Sequence, residues 1–213
     1  MPTPPTENSE TSETATRAVR RRDSSATKEL ILAAATTEFA EYGFAGARIE
    51  RIAERAGANK RLLYVYFGDK EKLFEAVLER QTAELTQAVP LPDGDLVAFA
   101  GARFDYMLAH PEAARLSAWR RFERVQPSEV EGRTYQERVD VVAAAQREGR
   151  LDATFPAVDL FAMVLRITES WLDAPPALMA TVGEAPMSPE RLQEHRAALI
   201  EAVRRVTLPR EAL

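Results

Sequence analysis

The side chains best suited to chemistry stand close together in "NKRLLYVYF", residues 59–67. Lys60 and Arg61 are adjacent cations, and Tyr64 and Tyr66 follow within two helical turns. The planar fork of Arg61 matches O6 and N7 of guanine together, whereas Lys60 is a point charge suited to guanine or to phosphate. Lys70 adds a cation just beyond this stretch and Arg48 another before it. This is the chemistry of recognising a polyanion. The alternative is that Lys60, Arg61 and Lys70 form an ordinary solvated face.

Bond-making chemistry finds little support. The chain has no cysteine, which excludes thiolate nucleophiles, disulfides and Cys-based zinc sites. His110 and His195 are far apart in sequence, and neither a nucleophile–base pairing nor a Gly-rich phosphate loop is present. No metal and no cofactor are therefore expected, and the chain reads as a non-enzyme. A helical enzyme would have to rely on carboxylates such as Glu123, Asp140 and Glu169. A helical adaptor is a further alternative, which the basic face disfavours.

Charge is unevenly spread along the 213 residues, whose formal net charge is −5. From Arg17 to Lys72 there are twelve Lys and Arg against eight Asp and Glu; from Ala83 onward there are fifteen against twenty. All four lysines (Lys28, Lys60, Lys70, Lys72) fall in the first of these segments. A basic segment on an acidic body fits a polyanion contact at one end, with chance clustering as the alternative. No run approaches the roughly 18 apolar residues that span a bilayer. The first 25 residues lack the apolar centre of a secretory signal. A soluble, cytoplasmic protein with no membrane partner is expected.

Those candidate residues need elements to hold them. Residues 1–25, rich in Pro, Thr, Ser and Glu, predict a disordered arm ending in "RAVRRRD". That arm either enters a DNA groove or tracks phosphate, or is a leader that only aids solubility. Helical spacing begins after Thr27, a plausible N-cap. Leu30, Ile31, Ala34, Ala35, Phe39 and Tyr42 recur at three and four residues, and Gly43 suits a helix stop. Ile49, Ile52, Ala53 and Ala56 make one stripe of a short second helix. Asn59 is a natural N-cap for a third, in which Leu63 and Phe67 point inward while Lys60, Arg61 and Tyr64 point outward. Asp69 caps a fourth.

Helix, short turn, helix, braced on both sides, is a DNA-reading arrangement in which the second helix of the pair lies in the major groove. The stretches "ILAAATTEFAEYGF" and "IERIAERAGANKRLLYVYFGDKEKLFEAVL" resemble the N-terminal domain of the tetracycline-repressor (TetR) family of bacterial transcription regulators. The resemblance covers residues 26–80. It implies an all-α fold: a three-helix helix-turn-helix domain over 26–72, then a larger helical effector-binding and dimerisation domain over 73–213. It further implies a ligand-responsive regulator, most simply a repressor, that binds a palindromic double-stranded DNA operator as a homodimer. A small apolar effector would release it.

DNA contact is thereby expected of Arg48, Asn59, Lys60, Arg61, Tyr64, Tyr66 and Lys70. Tyr66 is divided between packing and phosphate. Ala47 and Arg48 depart from the family's threonine and small hydroxyl residue before the second helix, so Arg48 stands as a substitute phosphate contact. The family often has a small residue where this chain has Arg61, so its base preference does not carry over.

The remainder is also helical, with stretches near 95–110, 112–126, 129–148, 156–173 and 189–206. The last two resemble the family's dimerisation helices; their alternative is the core of a monomer. Phe104, Met107, Leu108, Trp119, Phe122, Phe161 and Leu165 either line an effector pocket, as the resemblance implies, or fill the core. Trp171 belongs to the seam or the core, and both histidines read as structural or solvated.

Overall fold

The structure, a computed structural model, describes the backbone of residues 9–123, 126–183 and 185–209, and the side chains within those spans from residue 24 on, except 121–123. Among the described residues it is helical throughout, with no strand. Two compact units divide within one helix, the first ending at Leu78 and the second starting at Glu79.

The first unit comprises α1 (Ser9–Gly46), α2 (Ile49–Arg55), α3 (Lys60–Phe67) and the opening turns of α4 (Lys70–Ala88). The backbone is already helical from Ser9, so Thr27 lies inside α1 and not at its head. No proline or glycine interrupts 9–42, and a helix nucleated in a packed core extends outward without a second nucleation step. Residues 1–8 and the Arg20–Arg22 side chains lie outside the described residues. Gly43, at φ 67°, breaks the helical run near its end.

The buried stripe of α1 is Ile31, Ala35, Glu38 and Phe39, each with no exposed surface. Phe39, Phe44 and Phe74 cluster below it, with Phe39 and Phe74 centroids 4.7 Å apart. Leu30 and Tyr42, expected inside, are 58% and 45% exposed. The stripe is centred about a third of a turn away from Leu30, and Tyr42 instead lies beneath the Arg51 guanidinium at 4.2 Å.

Glu38 fixes how the second helix starts. Its Oε1 accepts from the Arg48 amide at 2.9 Å and from Arg51 Nε at 2.7 Å. Ala47 and Arg48 provide no side-chain cap to α2, so a carboxylate from α1 takes the amide at its head. Burial pushes this carboxyl up, but the hydrogen bonds from Arg51 and the Arg48 amide outweigh it and hold it below the usual range.

The second unit holds the rest of α4 and α5 (Leu96–Ala109), α6 (Pro111–Glu123), α7 (Glu129–Arg147), α8 (Ala157–Glu169), the short α9 (Pro176–Met179) and α10 (Pro189–Thr207). Asp95, Ser128 and Ser188 cap α5, α7 and α10 through side-chain oxygens. Apolar α5 packs against α8 and α10 around Leu96, Phe99, Phe104, Leu160, Val164, Leu199 and Val203. Arg196 of α10 holds both carboxylate oxygens of Asp105 on α5, at 2.7 and 2.8 Å.

Of the two readings of His195, structural or solvated, its packing fits the structural one. Its ring lies between Phe104 and Trp171, with centroids at 5.6 and 5.4 Å, and Nε2 is 3.3 Å from Ser170 Oγ. Trp171 is buried in this cluster, beneath Arg191 and donating to the Pro186 carbonyl at 3.0 Å. Burial, and then the charge of Arg191, lowers the His195 pKa from its ordinary 6.5.

Two outcomes are expected. Glu38→Gln should cost about 3 kcal/mol at neutral pH, at the low end for a buried pair because the Arg51 side chain is 33% exposed. Since the folded carboxyl titrates below the unfolded one, this contribution is present above the ordinary carboxylate range. The gap from wild type in denaturant melts should close as pH falls through the folded value. His195 has the same sign for a different reason: the folded state favours its neutral form, so stability falls as pH drops below about 6.5. His195→Gln should flatten that part of the pH dependence of Tm.

Candidate nucleic-acid interface

The turn between α2 and α3 is set by backbone geometry. Gly57 N donates to Glu54 O at 3.1 Å and Ala58 N to Ala53 O at 2.9 Å, which closes α2. Gly57 stands at φ 62°, a conformation that costs a side-chain-bearing residue. Asn59 then accepts from the Leu62 amide at 3.0 Å and starts α3. Its Oδ1 is committed to that cap, which leaves its amide N–H groups to offer a ligand.

Leu63 and Phe67 anchor α3 inward, both buried. The opposite face carries Arg61, Tyr64 and Val65, all exposed and spaced i, i+3, i+4 on one side of the helix. Tyr64 is 51% and Val65 67% exposed. Arg61 has no partner among the described residues, so its fork is available to a base edge or phosphate. Val65 was missed by sequence reasoning, which read apolar residues as core. An exposed valine beside an arginine is the available signal, and it suits the methyl group of thymine. Tyr66 is half-buried.

The other cations differ in availability. Lys60 is not free: its ammonium is bound to Glu50 of α2. The hydrogen bond from Lys60 is the main cause that holds the Glu50 carboxyl below the usual range. A nucleic acid therefore competes with Glu50 for Lys60. Arg48 is exposed at the head of α2, its amide taken by Glu38. Lys70 opens α4 with Nζ 4.8 Å from the Phe44 centroid, while Asp69 accepts from the Lys72 amide at 2.8 Å. A cation at a helix N-terminus is disfavoured by the helix dipole, and a phosphate placed there would reverse that sign. Glu38, which contacts no solvent, sets the orientation of α2 against α1 on which this face depends.

The seven residues expected to line a pocket divide in the second unit. Phe104 and Met107 are buried in the core and Leu108 is partly buried against it. Phe161 and Leu165 line a cavity of about 40 Å³, and Leu165 also lines one of about 380 Å³. Trp119 is half-buried, and the Phe122 side chain lies outside the described residues. Arg103, Arg120, Glu131, Arg166 and Glu169 are among the walls of the cavity of about 380 Å³.

Comparison with known proteins agrees with this geometry. Residues 31–77 match the model of the bacterial regulatory proteins of the tetR family, and residues 95–205 match a tetracyclin repressor-like C-terminal domain. The HTH-type transcriptional repressor SCO4008 of Streptomyces coelicolor is 35% identical over 189 residues, 87% of this chain and 97% of that protein. The HTH-type transcriptional repressor NicS of Pseudomonas putida is 41% identical over 110 residues, 47% of this chain and 50% of that one. Among solved structures, the transcriptional regulator SCO4942 of Streptomyces coelicolor superimposes with a TM-score of 0.72 at 37% identity, covering 85% of this chain and 98% of its own. The chain belongs to the TetR family of bacterial helix-turn-helix transcription regulators.

Proposed function

We propose that this regulator is a cytoplasmic repressor that binds a palindromic double-stranded DNA operator as a homodimer and leaves it when a small molecule binds the second unit. The observation that carries the DNA reading is the outward face of α3, where Arg61 is exposed and unpaired beside Tyr64 and Val65. Phosphate contacts from Lys70, Arg48 and, once released from Glu50, Lys60 would position that face, with Tyr66 and the Asn59 amide at its margins. The names of SCO4008 and NicS support repression. The protein binds its effector rather than transforming it. The effector acts by preferring one of two dimer states, a coupling of about 1–3 kcal/mol in typical cases.

A two-turn reading helix covers few base pairs, so a two-fold partner supplies the second half-site. Helices α8 and α10 are the proposed seam. Val158 on α8 is 56% exposed, and Leu178 and Met187 between the two helices are 52% and 46% exposed. Light scattering should give twice the 23.7 kDa chain mass at micromolar concentration. A monomeric mass would remove the dimer.

Arg61→Ala and Lys70→Ala should weaken DNA binding in different ways. Loss of Arg61 should cost about 1–3 kcal/mol on the preferred site and relax preference at one position per half-site. Loss of Lys70 should weaken all sequences about equally and reduce the salt slope by about one per contact. Fluorescence anisotropy across a salt series separates the two. A folded Arg61→Ala dimer with wild-type affinity and preference would contradict the assignment of this face.

A further inference from the structure

The interior of the second unit holds more guanidinium than its own carboxylates satisfy. Arg103 stands on α5 among Phe99, Ala100, Phe104 and Met107, with only 4% of its surface exposed. Its Nη2 donates to Glu169 Oε1 at 2.5 Å, but Nε and Nη1 have no hydrogen-bond partner. Glu169 is divided between two arginines, since its Oε2 accepts from Arg166 Nη1 at 2.6 Å. Arg120 is matched by Glu131, whose two carboxylate oxygens it holds. Arg138 lies over the Phe99 ring and donates to the Val89 carbonyl at 3.0 Å, with no carboxylate partner among the described residues. Buried donors are nearly always satisfied in folded proteins, so those of Arg103 call for an acceptor.

The nearest open space is beside Arg103, but Nε and Nη1 are themselves covered, so an acceptor there meets them only after the side chain turns. The cavities of about 380 and 40 Å³ share Arg103, Tyr135 and Leu165 as walls. Around the two cavities together, Arg103, Arg120, Arg138 and Arg166 are met by Glu131, Glu169 and, through Arg166, Asp173, which leaves a single positive charge in surplus. One negative charge balances that surplus and two exceed it. Tyr135 and Leu165 offer a flat, mostly apolar wall for the body of a small ligand.

We propose that this cavity binds a small monocarboxylic acid, aromatic or short aliphatic, whose carboxylate accepts hydrogen bonds from the unpartnered donors of Arg103. Charge-assisted bonds of this kind are the strong ones, and a guanidinium already buried by α5 has little of its desolvation left to meet on binding. The proposal rests on the reading of the second unit as the effector domain and gives that effector a class, acidic rather than purely apolar.

Isothermal titration calorimetry on the full chain without DNA tests it. The probes are benzoate, 3-phenylpropanoate and hexanoate, their neutral carboxamides, and phenyl phosphate as a dianion. At least one acid should bind, with its carboxamide weaker by roughly 10–100-fold. Arg103→Met should abolish that preference. Because this change strands Glu169, the double variant Arg103→Met/Glu169→Gln removes the pair together and keeps the test valid if the single variant unfolds. Absence of binding by every acid, carboxamides that bind equally well, tighter binding of phenyl phosphate, or full acid affinity in a folded variant would each overturn the proposal. Operator affinity measured with the bound acid separates the wider reading. An acid that binds through Arg103 yet leaves operator affinity unchanged supports the site and contradicts effector control.

Discussion

Glu38 is the constraint on which the DNA-facing end of this protein depends. It has no exposed surface, yet it holds the Arg48 amide and the Arg51 guanidinium and thereby fixes the head of α2 against α1. The turn at Gly57 and the Asn59 cap then determine where α3 begins, and Leu63 and Phe67 determine which way it faces. Each step leaves the next few choices: a change in how α2 starts would rotate the row Arg61, Tyr64, Val65 away from its present direction. A buried ion pair contributes little net stability compared with an apolar replacement, so its value here lies in orientation.

The second unit solves a related problem with the opposite outcome. Its core is α5 packed against α8 and α10, and into that core it places Arg103. Glu38 closes a helix terminus through Oε1 and leaves Oε2 without a partner, whereas Arg103 gives Nη2 to Glu169, shared with Arg166, and leaves two donors unmet. One buried charge organises the fold and the other retains capacity to bind. Arg120 and Glu131, which satisfy each other, show that the same set of helices can complete a pair where it needs one.

The helices were legible in the sequence because apolar periodicity and capping residues report directly on burial. Asn59, Asp69 and the inward pair Leu63 and Phe67 stand where their types predict. Three features were hidden for a common reason. Glu38, Arg103 and Val65 each violate the rule that apolar residues face in and charged ones out, and a stripe count treats each as a gap. The signal was present: Glu38, one of two acids inside "ATTEFAEYGF", and Arg103, the one cation inside "AFAGARF", are charges on otherwise apolar stripes. Their partners, Arg51 and Glu169, are 13 and 66 residues away, beyond the reach of helical periodicity. The early start of α1 was hidden differently, because polar composition describes what cannot pack and says less about a helix extended from a packed neighbour.

The central claim is that α3 reads base pairs in two symmetry-related half-sites. Selection of bound sequences from a random double-stranded DNA pool, using the unaltered full chain, tests it most directly. The account requires enrichment of an inverted repeat whose half-sites lie about one helical turn apart or a multiple of it, with a preferred guanine in each. A pool that remains unenriched after repeated rounds, or enrichment of single asymmetric sites, would contradict it.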